Sequence, residues 1–545
     1  MKKLFSVQPR SDVPTIFLHW FLAFVLIVSL TTGLRISADS PDAVWSLKLS
    51  AILPQGAVMS WHLYSAYSLS LGAIAYILFL WRAGVAPRVR PSVRTLIASQ
   101  PGIRWWGINR ALYWMAFVCI AVEGVSGTML YFAPGLLPVR FVTAIHRFAA
   151  WLLITYTVIH VVAQFVLGGT QQLLKILTPR VAYVGSGIFA LTISAVVTAV
   201  VVPVNNGLIR PLTLAQVSRG PTIDGHPTDA VWEKARPVEI HTTEGVNLPG
   251  GEATVRVRGV HDNERVYMLF EWRDTTRSQK HLPLVKTGEG WKVLENRYGI
   301  QDEVDYYEDK FAVMFSRSTE IAGGATQLGP NPLPGKPGSP NQRGLHYTND
   351  GRIVDVWHWK SVRTGPLEQL DDNYFGPPMP PPDKPGERYT GGYTQDPKSE
   401  GGFDQNWTKL AGSSFVTPKR LPKNLQTVQA RLGDVKLDPE HSDEGQWWMA
   451  LKDTVPYAYE LDSYPAGTVI PSVIIDKPFV GDRGDVTAVG TWKEGWWRLE
   501  ATRKLNTKSK FDLPIQSGIY LWVAVFDHSQ TRHSRHLHPV RINLE

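Results

Sequence analysis

The sequence predicts two parts of different fold class: an all-α membrane bundle over residues 1–205 and an all-β sandwich over residues 206–545. Three observations predict this division. Five long apolar stretches occur in the first part only, and short alternating segments rich in Val, Tyr, Trp and Phe fill the second. The charge also changes sign, from 15 Lys/Arg against 4 Asp/Glu in the first part to 41 against 44 in the second.

The five apolar stretches run roughly over residues 14–34, 61–81, 111–132, 141–167 and 182–203. Each is long enough for a helix that crosses the hydrocarbon core of a bilayer, which takes about 20 residues. The first stretch is not a cleavable signal peptide, because no small-residue cleavage site follows it and four more spans do. The sequence therefore predicts five transmembrane helices, four of which carry the residues of interest below.

Basic residues in the short connections predict the orientation of these helices. One side of the membrane holds eleven Lys or Arg residues and the other holds three, Arg35, Lys48 and Arg140. The excess places the N-terminus in the cytoplasm, so that five crossings leave residues 206–545 outside it. For a bacterial inner membrane this is the periplasm. The net charge of +8 is then a topology signal, and no nucleic-acid partner is expected.

Four histidines lie within the predicted spans, where ionisable residues are candidates for function. His19 lies near the cytoplasmic end of the first span, and His62 lies near the outer end of the second. The fourth span carries His146 near the outside and His160 deeper. Their separation of 14 residues puts them on one helix face, about 21 Å apart along the axis. The histidines thus form two pairs by depth, His62 with His146 and His19 with His160.

Two imidazoles that face each other in a bundle are suitable axial ligands for haem iron, and two such sites make an electron path across the membrane. The alternative is that these histidines only form hydrogen bonds between helices. Arg147 is a candidate partner for a haem propionate. Glu123 is a candidate for proton or quinone chemistry, and a structural hydrogen bond is the alternative for both residues.

The histidine pattern resembles the di-haem cytochrome b subunits of formate dehydrogenases and nickel–iron hydrogenases over residues 10–175. The motifs are F-L-H-W around His19, W-H-L-Y around His62, and A-I-H-R-F-A and V-I-H-V-V in the fourth span. The resemblance implies that the four histidines ligate two b haems and that the bundle exchanges electrons with membrane quinone.

The second part lacks any convincing hydrolytic or nucleotide-binding motif, and no catalytic residues are predicted. It resembles the haem-binding domain of the ethylbenzene dehydrogenase gamma subunit over about 220–545. The motifs are P-T-I-D-G-H-P-T-D-A-V-W at 221–232, V-D-V-W-H-W-K at 354–360, G-T-W-K-E-G-W-W at 490–497 and A-V-F-D at 524–527. The resemblance implies a β-sandwich that holds one b haem and exchanges electrons with a periplasmic cytochrome or oxidoreductase subunit.

The family ligates its haem with a Met before the W-x-W strand and a Lys in the last strand, and this sequence departs from both. His346 and His536 stand in the corresponding places, so the implied site is bis-histidine. His533 and His538 are alternatives to His536. His358 and Lys360 are alternatives to His346.

The single cysteine, Cys119, lies in the third span, so no disulfide or covalent haem attachment is expected in the outer part. The predicted function is electron transfer between quinone and a periplasmic partner through three b haems, with the chain an electron-transfer subunit or part of a quinol oxidoreductase. The first rival is a membrane-anchored sensory or ligand-binding β-sandwich without a redox role. The second is an enzyme with its own substrate site in the β part. We favour quinol oxidation, although neither the direction of electron flow nor the oligomeric state is encoded in the sequence.

Overall fold

The structure is a computed structural model that describes residues 10–38, 49, 52–54, 58–90, 92–207, 209, 211–296, 303–319, 348, 351–377, 379, 392–433, 435 and 445–545. The chain forms two compact units, Met1–Leu208 and Ile209–Glu545. The first unit is helical, and the second consists mainly of β-strands.

The first unit contains five long helices: α1 (Val13–Ala38), α2 (Val58–Arg82), α3 (Pro101–Phe132), α4 (Val139–Leu177) and α5 (Val184–Gly207). In the part of the chain that the structure describes, these are the five helices apolar and long enough to cross a membrane. The five predicted spans are therefore confirmed, and the chain is a multi-pass membrane protein. A short helix, Val93–Leu96, lies between α2 and α3, and α4 bends at Gly169, whose φ is 57°.

Apolar side chains hold the helices together in two clusters. Leu18 of α1 packs with Phe79 of α2 and Ala190 of α5. Cys119 of α3 packs with Leu153 of α4. Large apolar side chains such as Phe24, Trp61 and Phe165 remain exposed on the outside of the helices, which is the surface that lipid would cover. Strands β1 (Ser11–Asp12) and β2 (Pro179–Arg180) pair in parallel beside the starts of α1 and α5.

The second unit is built on a twelve-stranded sheet. Its strands are β3 (Pro211–Gln216), β4 (Val238–Thr242), β5 (Ala253–His261), β6 (Arg265–Arg273), β9 (Lys310–Ser316), β10 (Val354–Lys360), β11 (Asp371–Phe375), β12 (Tyr393–Gln395), β21 (Thr487–Lys493), β22 (Trp496–Lys504), β23 (Tyr520–Phe526) and β24 (Val540–Leu544). Their hydrogen-bonded order is β12-β11-β10-β9-β23-β24-β3-β5-β6-β22-β21, and β4 also pairs with β5.

This sheet curls so that its two halves face each other across one core. Alternate residues of β5, β6 and β22 meet alternate residues of β9, β10 and β23 there, with Phe270, Val313 and Trp357 among them, all fully buried. The ring of Trp272 stacks on that of Trp497 with centroids 6.2 Å apart. The sequence predicted an all-β sandwich, and this prediction is confirmed. The structure has the sandwich-like core, but parallel pairing of β24 with β3 joins the halves into one sheet.

The remaining strands form small sheets at the side of the main one. They are β7 (Leu284–Lys286), β8 (Trp291–Val293), β13 (Phe403–Gln405), β14 (Trp407–Lys409), β15 (Val416–Pro418), β16 (Arg420–Pro422), β17 (Met449–Ala450), β18 (Thr454–Pro456), β19 (Val469–Ile470) and β20 (Val473–Ile475), with a short helix at Leu425–Gln429. These small sheets pack on two hydrophobic cores, one that includes Trp447 and one that includes Trp291.

Candidate functional site: histidine pairs of the bundle and a sheet face of the β unit

The outer histidine pair of the bundle consists of His62 on α2 and His146 on α4, whose ring centroids lie 6.3 Å apart with the rings nearly perpendicular, at 79°. His62 Nδ1 lies 3.2 Å from the backbone carbonyl of Ser29 and 3.1 Å from Thr32 Oγ1. Because a carbonyl can only accept a hydrogen bond, Nδ1 carries the proton of a neutral ring. The lone pair is then on Nε2, where a metal could bind it.

His146 is held in the same tautomer by a carboxylate. Its Nδ1 lies 2.7 Å from Glu123 Oε2 and 2.8 Å from Ser126 Oγ, both on α3. A carboxylate that accepts from Nδ1 orients the imidazole and makes Nε2 a stronger ligand. Glu123 is therefore a partner of His146, which is one of the two roles that the sequence left open for it.

The inner pair consists of His19 on α1 and His160 on α4. Their ring centroids also lie 6.3 Å apart, with an angle of 48° between the rings. Aromatic side chains surround His160: the Tyr156 ring stacks on it at 5.4 Å and the Tyr113 ring lies at 5.7 Å. The structure thus brings together the same two pairs that the depths of the histidines predicted.

The spacing of both pairs fits a shared iron. With metal–nitrogen bonds of about 2.0 Å on opposite sides of one iron, two imidazole centroids would be about 6 Å apart. Glycines also line the outer pair. A Cβ on Gly33 would lie 3.2 Å from His62 Cε1, and a Cβ on Gly127 would lie 3.3 Å from His146 Cε1. These positions leave room beside the rings that any larger residue would fill, so the residues fit haem.

Arg147 follows His146 on α4 and is half-buried. Among the described residues, no ion pair involves its guanidinium, so its predicted role at a haem propionate stays a prediction. Sequence reasoning missed Ser29, Thr32 and Ser126. All three are hydroxyl residues inside a span, four or fewer residues from a glycine, which was the available signal.

In the β unit, the two predicted outer ligands have different outcomes. His346 lies outside the described residues. His536 is buried, and both of its ring nitrogens are in use: the backbone N–H of Val523 donates to Nε2 at 3.0 Å, and Nδ1 donates to the His538 carbonyl at 2.8 Å. In this arrangement His536 has no free lone pair for iron, and its hydrogen bonds hold the segment after β23 against that strand.

His358 on β10 has the free nitrogen that His536 lacks. Its Nε2 is buried without a hydrogen-bond partner. Burial, aided by the nearby charges of Lys360 and Lys310, holds the pKa of His358 well below its usual value, so the ring is neutral. A neutral imidazole is the form that binds metals.

The neighbours of His358 across the sheet are small residues. In the register of β10, β9 and β23, its neighbours across the sheet are Ala312 and then Ala524. Both are small, and Phe526 stacks on the His358 ring at 5.3 Å. Successive residues of a strand point to opposite faces, so these three residues share the face opposite Trp357 and Trp359. This sheet face, defined by His358, Ala312 and Ala524, is the described part of the unit best suited to a planar cofactor.

Lys360 is less suited than His358 to bind iron, whereas His533 stays an alternative ligand, because a ring that donates from Nδ1 keeps its lone pair on Nε2. The Lys360 ammonium forms a buried ion pair with Asp371. His533 Nδ1 donates to the Ser534 carbonyl at 2.8 Å. The His533 ring also packs against Phe526, with centroids 4.7 Å apart.

A separate cavity of about 450 Å³ opens on the opposite side of β10. Five tryptophans line it: Trp359, Trp447, Trp448, Trp492 and Trp497. The indole N–H groups of Trp359 and Trp447 are buried without partners. The described residues that line the cavity include no His, Met or Lys, so they offer no usual axial ligand for haem.

Two family models match the chain. The model described as ethylbenzene dehydrogenase matches residues 229–537, and the model described as prokaryotic cytochrome b561 matches residues 10–179. The first match covers more than half of the chain, so the chain belongs to the ethylbenzene dehydrogenase family. The second supports haem b binding and transmembrane electron transfer by the bundle, and the two together confirm the predicted fusion.

Comparisons with individual proteins add little. No curated protein matches the chain. Among solved structures, a family 9 carbohydrate-binding module from Caldicellulosiruptor kristjanssonii in complex with cellotriose is 9% identical, with 62% of this chain and 94% of that chain covered and a TM-score of 0.22. A putative carbohydrate-binding protein from Bacteroides uniformis is 7% identical, with 62% and 99% covered and a TM-score of 0.24. TM-scores this low carry no argument about fold or ligand.

Proposed function

We propose that this member of the ethylbenzene dehydrogenase family transfers electrons across a bacterial inner membrane, between a membrane quinone and a redox partner in the periplasm. The N-terminus is cytoplasmic and the β unit is periplasmic, as the eleven basic residues on one side against three on the other support. The partner is a soluble cytochrome or an oxidoreductase subunit.

The observation that carries this proposal is the geometry of the two histidine pairs. Both have ring centroids 6.3 Å apart, the spacing that two axial ligands of one iron require. A purely structural role would not need two pairs with the same spacing at two depths of one bundle. His62/His146 and His19/His160 are accordingly the ligands of two b haems.

Haem b held by two imidazoles supplies reversible one-electron chemistry without an open coordination position. The protein's part is to hold the imidazoles. Ser29 and Thr32 hold His62, and Glu123 and Ser126 hold His146. The two levels lie about 21 Å apart along α4, so together they extend across most of the hydrocarbon core, which is about 30 Å thick.

The β unit carries a third b haem in this proposal. His346 supplies one ligand, as the family resemblance implies, and His358 supplies the second in preference to His536. The free Nε2 of His358 and the small neighbours Ala312 and Ala524 support this choice, whereas both nitrogens of His536 already form hydrogen bonds.

A haem count tests the proposal. The full chain is purified in detergent, haem is quantified as the pyridine haemochrome, and a dithionite difference spectrum is recorded. We expect close to three b haems per chain, together with reduction of the bundle haems by a quinol analogue in proteoliposomes. A count of two haems per chain would mean that the β unit binds no haem and is not part of the electron path. None, or no reduction by quinol, would overturn the proposal.

The tryptophan-lined cavity favours a second candidate function, binding of a flat or apolar ligand by the β unit. Five indole rings offer stacking surfaces, and two unpartnered indole N–H groups can donate to a ligand oxygen. A ligand that quenches tryptophan fluorescence in the wild type and not in Trp448→Ala would support this function, and it would not change the haem count.

A further inference from the structure

A cluster of five aspartates lies at one end of the main sheet of the β unit, apart from the histidines described above. Asp355 is on β10, Asp372 is on β11, and Asp396 follows β12 directly. Asp485 precedes β21, and Asp512 lies between β22 and β23. The five carboxylates therefore come from five separate segments of the chain, and we call them the aspartate cluster.

The cluster is buried and contains too little positive charge. Asp355 and Asp372 are fully buried, Asp396 is 3% exposed and Asp512 is 7% exposed. Arg503 is the cation among them: its Nη2 lies 2.8 Å from Asp355 Oδ2, and its Nη1 lies 3.4 Å from Asp372 Oδ2 and 3.6 Å from Asp512 Oδ2. Within the described part of the chain, one guanidinium contacts this group of five carboxylates, four of which are buried, and burying unpaired charge is costly.

Arg503 contacts Oδ2 of Asp355, Asp372 and Asp512, and other carboxylate oxygens of the cluster have no hydrogen-bond partner. Oδ1 of Asp355, Oδ1 of Asp485 and Oδ1 of Asp512 are buried without hydrogen-bond partners, and so are both carboxylate oxygens of Asp396. Asp396 faces Asp512, and Asp485 faces Asp372. Ionised carboxylates have no proton to donate to one another, so these oxygens need either protons or a cation between them.

The spacing of the oxygens suits a single ion. One carboxylate oxygen from each of Asp372, Asp485 and Asp512 lies within 4.8 Å of the others. Oxygens bound at about 2.4 Å to one calcium ion lie up to roughly 5 Å apart.

We propose that the aspartate cluster binds one Ca²⁺ ion, held by Asp372, Asp485 and Asp512, with Asp355 and Asp396 completing the site. The donors are all carboxylate oxygens, which hard cations prefer and which zinc or copper sites rarely use alone. Five carboxylates from two strands and three connecting segments suit the flexible coordination of Ca²⁺ better than the strict octahedron of Mg²⁺. The ion fastens the segments that hold Asp485 and Asp512 to the β10–β12 end of the sheet.

The test compares the full chain with the double variant Asp396→Asn/Asp485→Asn. A matched control is Asp453→Asn/Asp476→Asn, which changes the charge equally at two exposed positions of the same unit. Each protein is purified in detergent, treated with EGTA and titrated with CaCl2 or MgCl2 by calorimetry. Thermal unfolding of the β unit is followed by tryptophan fluorescence with Ca²⁺ and with EGTA.

We expect Ca²⁺ to bind the wild type and the control with equal affinity and to raise their unfolding midpoints. The double variant should bind this ion at least about tenfold more weakly, because two of its ligands lose their charge. With EGTA the double variant should be no less stable than the wild type, since repulsion among the carboxylates is relieved.

Three results would overturn the proposal. One is a wild type whose unfolding midpoint does not respond to Ca²⁺. Another is a double variant that binds Ca²⁺ as tightly as the control. The third is a double variant that is less stable than the wild type in EGTA, which would indicate protonated carboxyl groups that hydrogen bond to each other. An equal response to Mg²⁺ would overturn the choice of Ca²⁺.

Discussion

The histidines of the membrane bundle and those of the β unit differ in what their ring nitrogens contact. In the bundle, His62 and His146 use Nδ1 for hydrogen bonds to neighbouring helices, which leaves Nε2 facing the partner ring. In the β unit, His536 uses both nitrogens and His358 leaves Nε2 without a partner.

The two folds position histidine side chains in different ways. In a helix bundle, a histidine at the right depth and on the right face meets its partner, because helices run nearly straight across the membrane. In a curled sheet, neighbouring residues of a strand point to opposite faces. A change of one residue in the register therefore decides which face a histidine side chain reaches.

The largest effect is expected from His146→Ala in the bundle. It removes one axial ligand of the outer pair, so the haem content should fall by about one per chain while the inner pair keeps its haem. The pyridine haemochrome measures this content. His226→Ala, at an exposed position of the β unit, is the control and should leave the count unchanged. An unchanged haem count in His146→Ala would show that His146 is not a haem ligand.

The next effect separates His358 from His536. His358→Ala should remove the haem of the β unit with little change in stability. His536→Ala should keep the haem but lower the free energy of unfolding by about 1–3 kcal/mol, because two hydrogen bonds to backbone groups are lost. Haem content and chemical denaturation measure the two outcomes. The opposite pattern, with haem lost only in His536→Ala, would return His536 to the role that the sequence predicted.

A smaller effect is expected at the glycines of α3. In Gly127→Ala the new Cβ lies 3.3 Å from His146 Cε1, whereas in Gly124→Ala the nearest side-chain atom is Ser70 Oγ at 3.5 Å. Both changes raise helix propensity by about 1 kcal/mol, so that contribution cancels between them. Gly127→Ala should therefore shift the haem absorption band and weaken haem retention relative to Gly124→Ala. Equal spectra would show that Gly127 does not border the haem.

The smallest effect is expected from Glu123→Gln. The amide can still accept from His146 Nδ1, but it lacks the negative charge that stabilises the oxidised iron through the imidazole. The midpoint potential of one bundle haem should rise, while the haem content stays the same. A redox titration followed by absorbance measures the potential, with Ser126→Ala as the neutral comparison. A lower potential would exclude Glu123 as an anionic partner of His146.

Much of the bundle could be predicted because the position of a residue along a membrane-spanning helix gives its depth in the membrane. A rise of 1.5 Å per residue turns sequence position into depth, so His62 and His146 could be matched before any contact was known. What could not be predicted was which atom of each ring is free. That depends on Ser29, Thr32, Glu123 and Ser126, which come from other helices and contact the rings only after packing.

The β unit was less predictable, because contacts between segments far apart in the chain determine how its strands pair. Most of its strands could be recognised from alternation, including β5, β6 and β10, but not the order in which they pair. Strand length is also hard to predict: the apolar run at 447–451 is long enough for a full strand, and only Met449–Ala450 forms one. Pairing of β24 with β3 joins segments more than 300 residues apart, and no local pattern specifies such a contact.

The sequence alone therefore determined the two fold classes, the five spans and the pairing of four histidines by depth, because apolar length and helical rise act locally along the chain. Only the tertiary structure decided that one curled sheet forms both halves of the sandwich, that His358 and not His536 has a free nitrogen, and that five distant aspartates meet around Arg503. Each of these depends on contacts between segments far apart in the chain, and burial and register set them only when the whole sheet has formed.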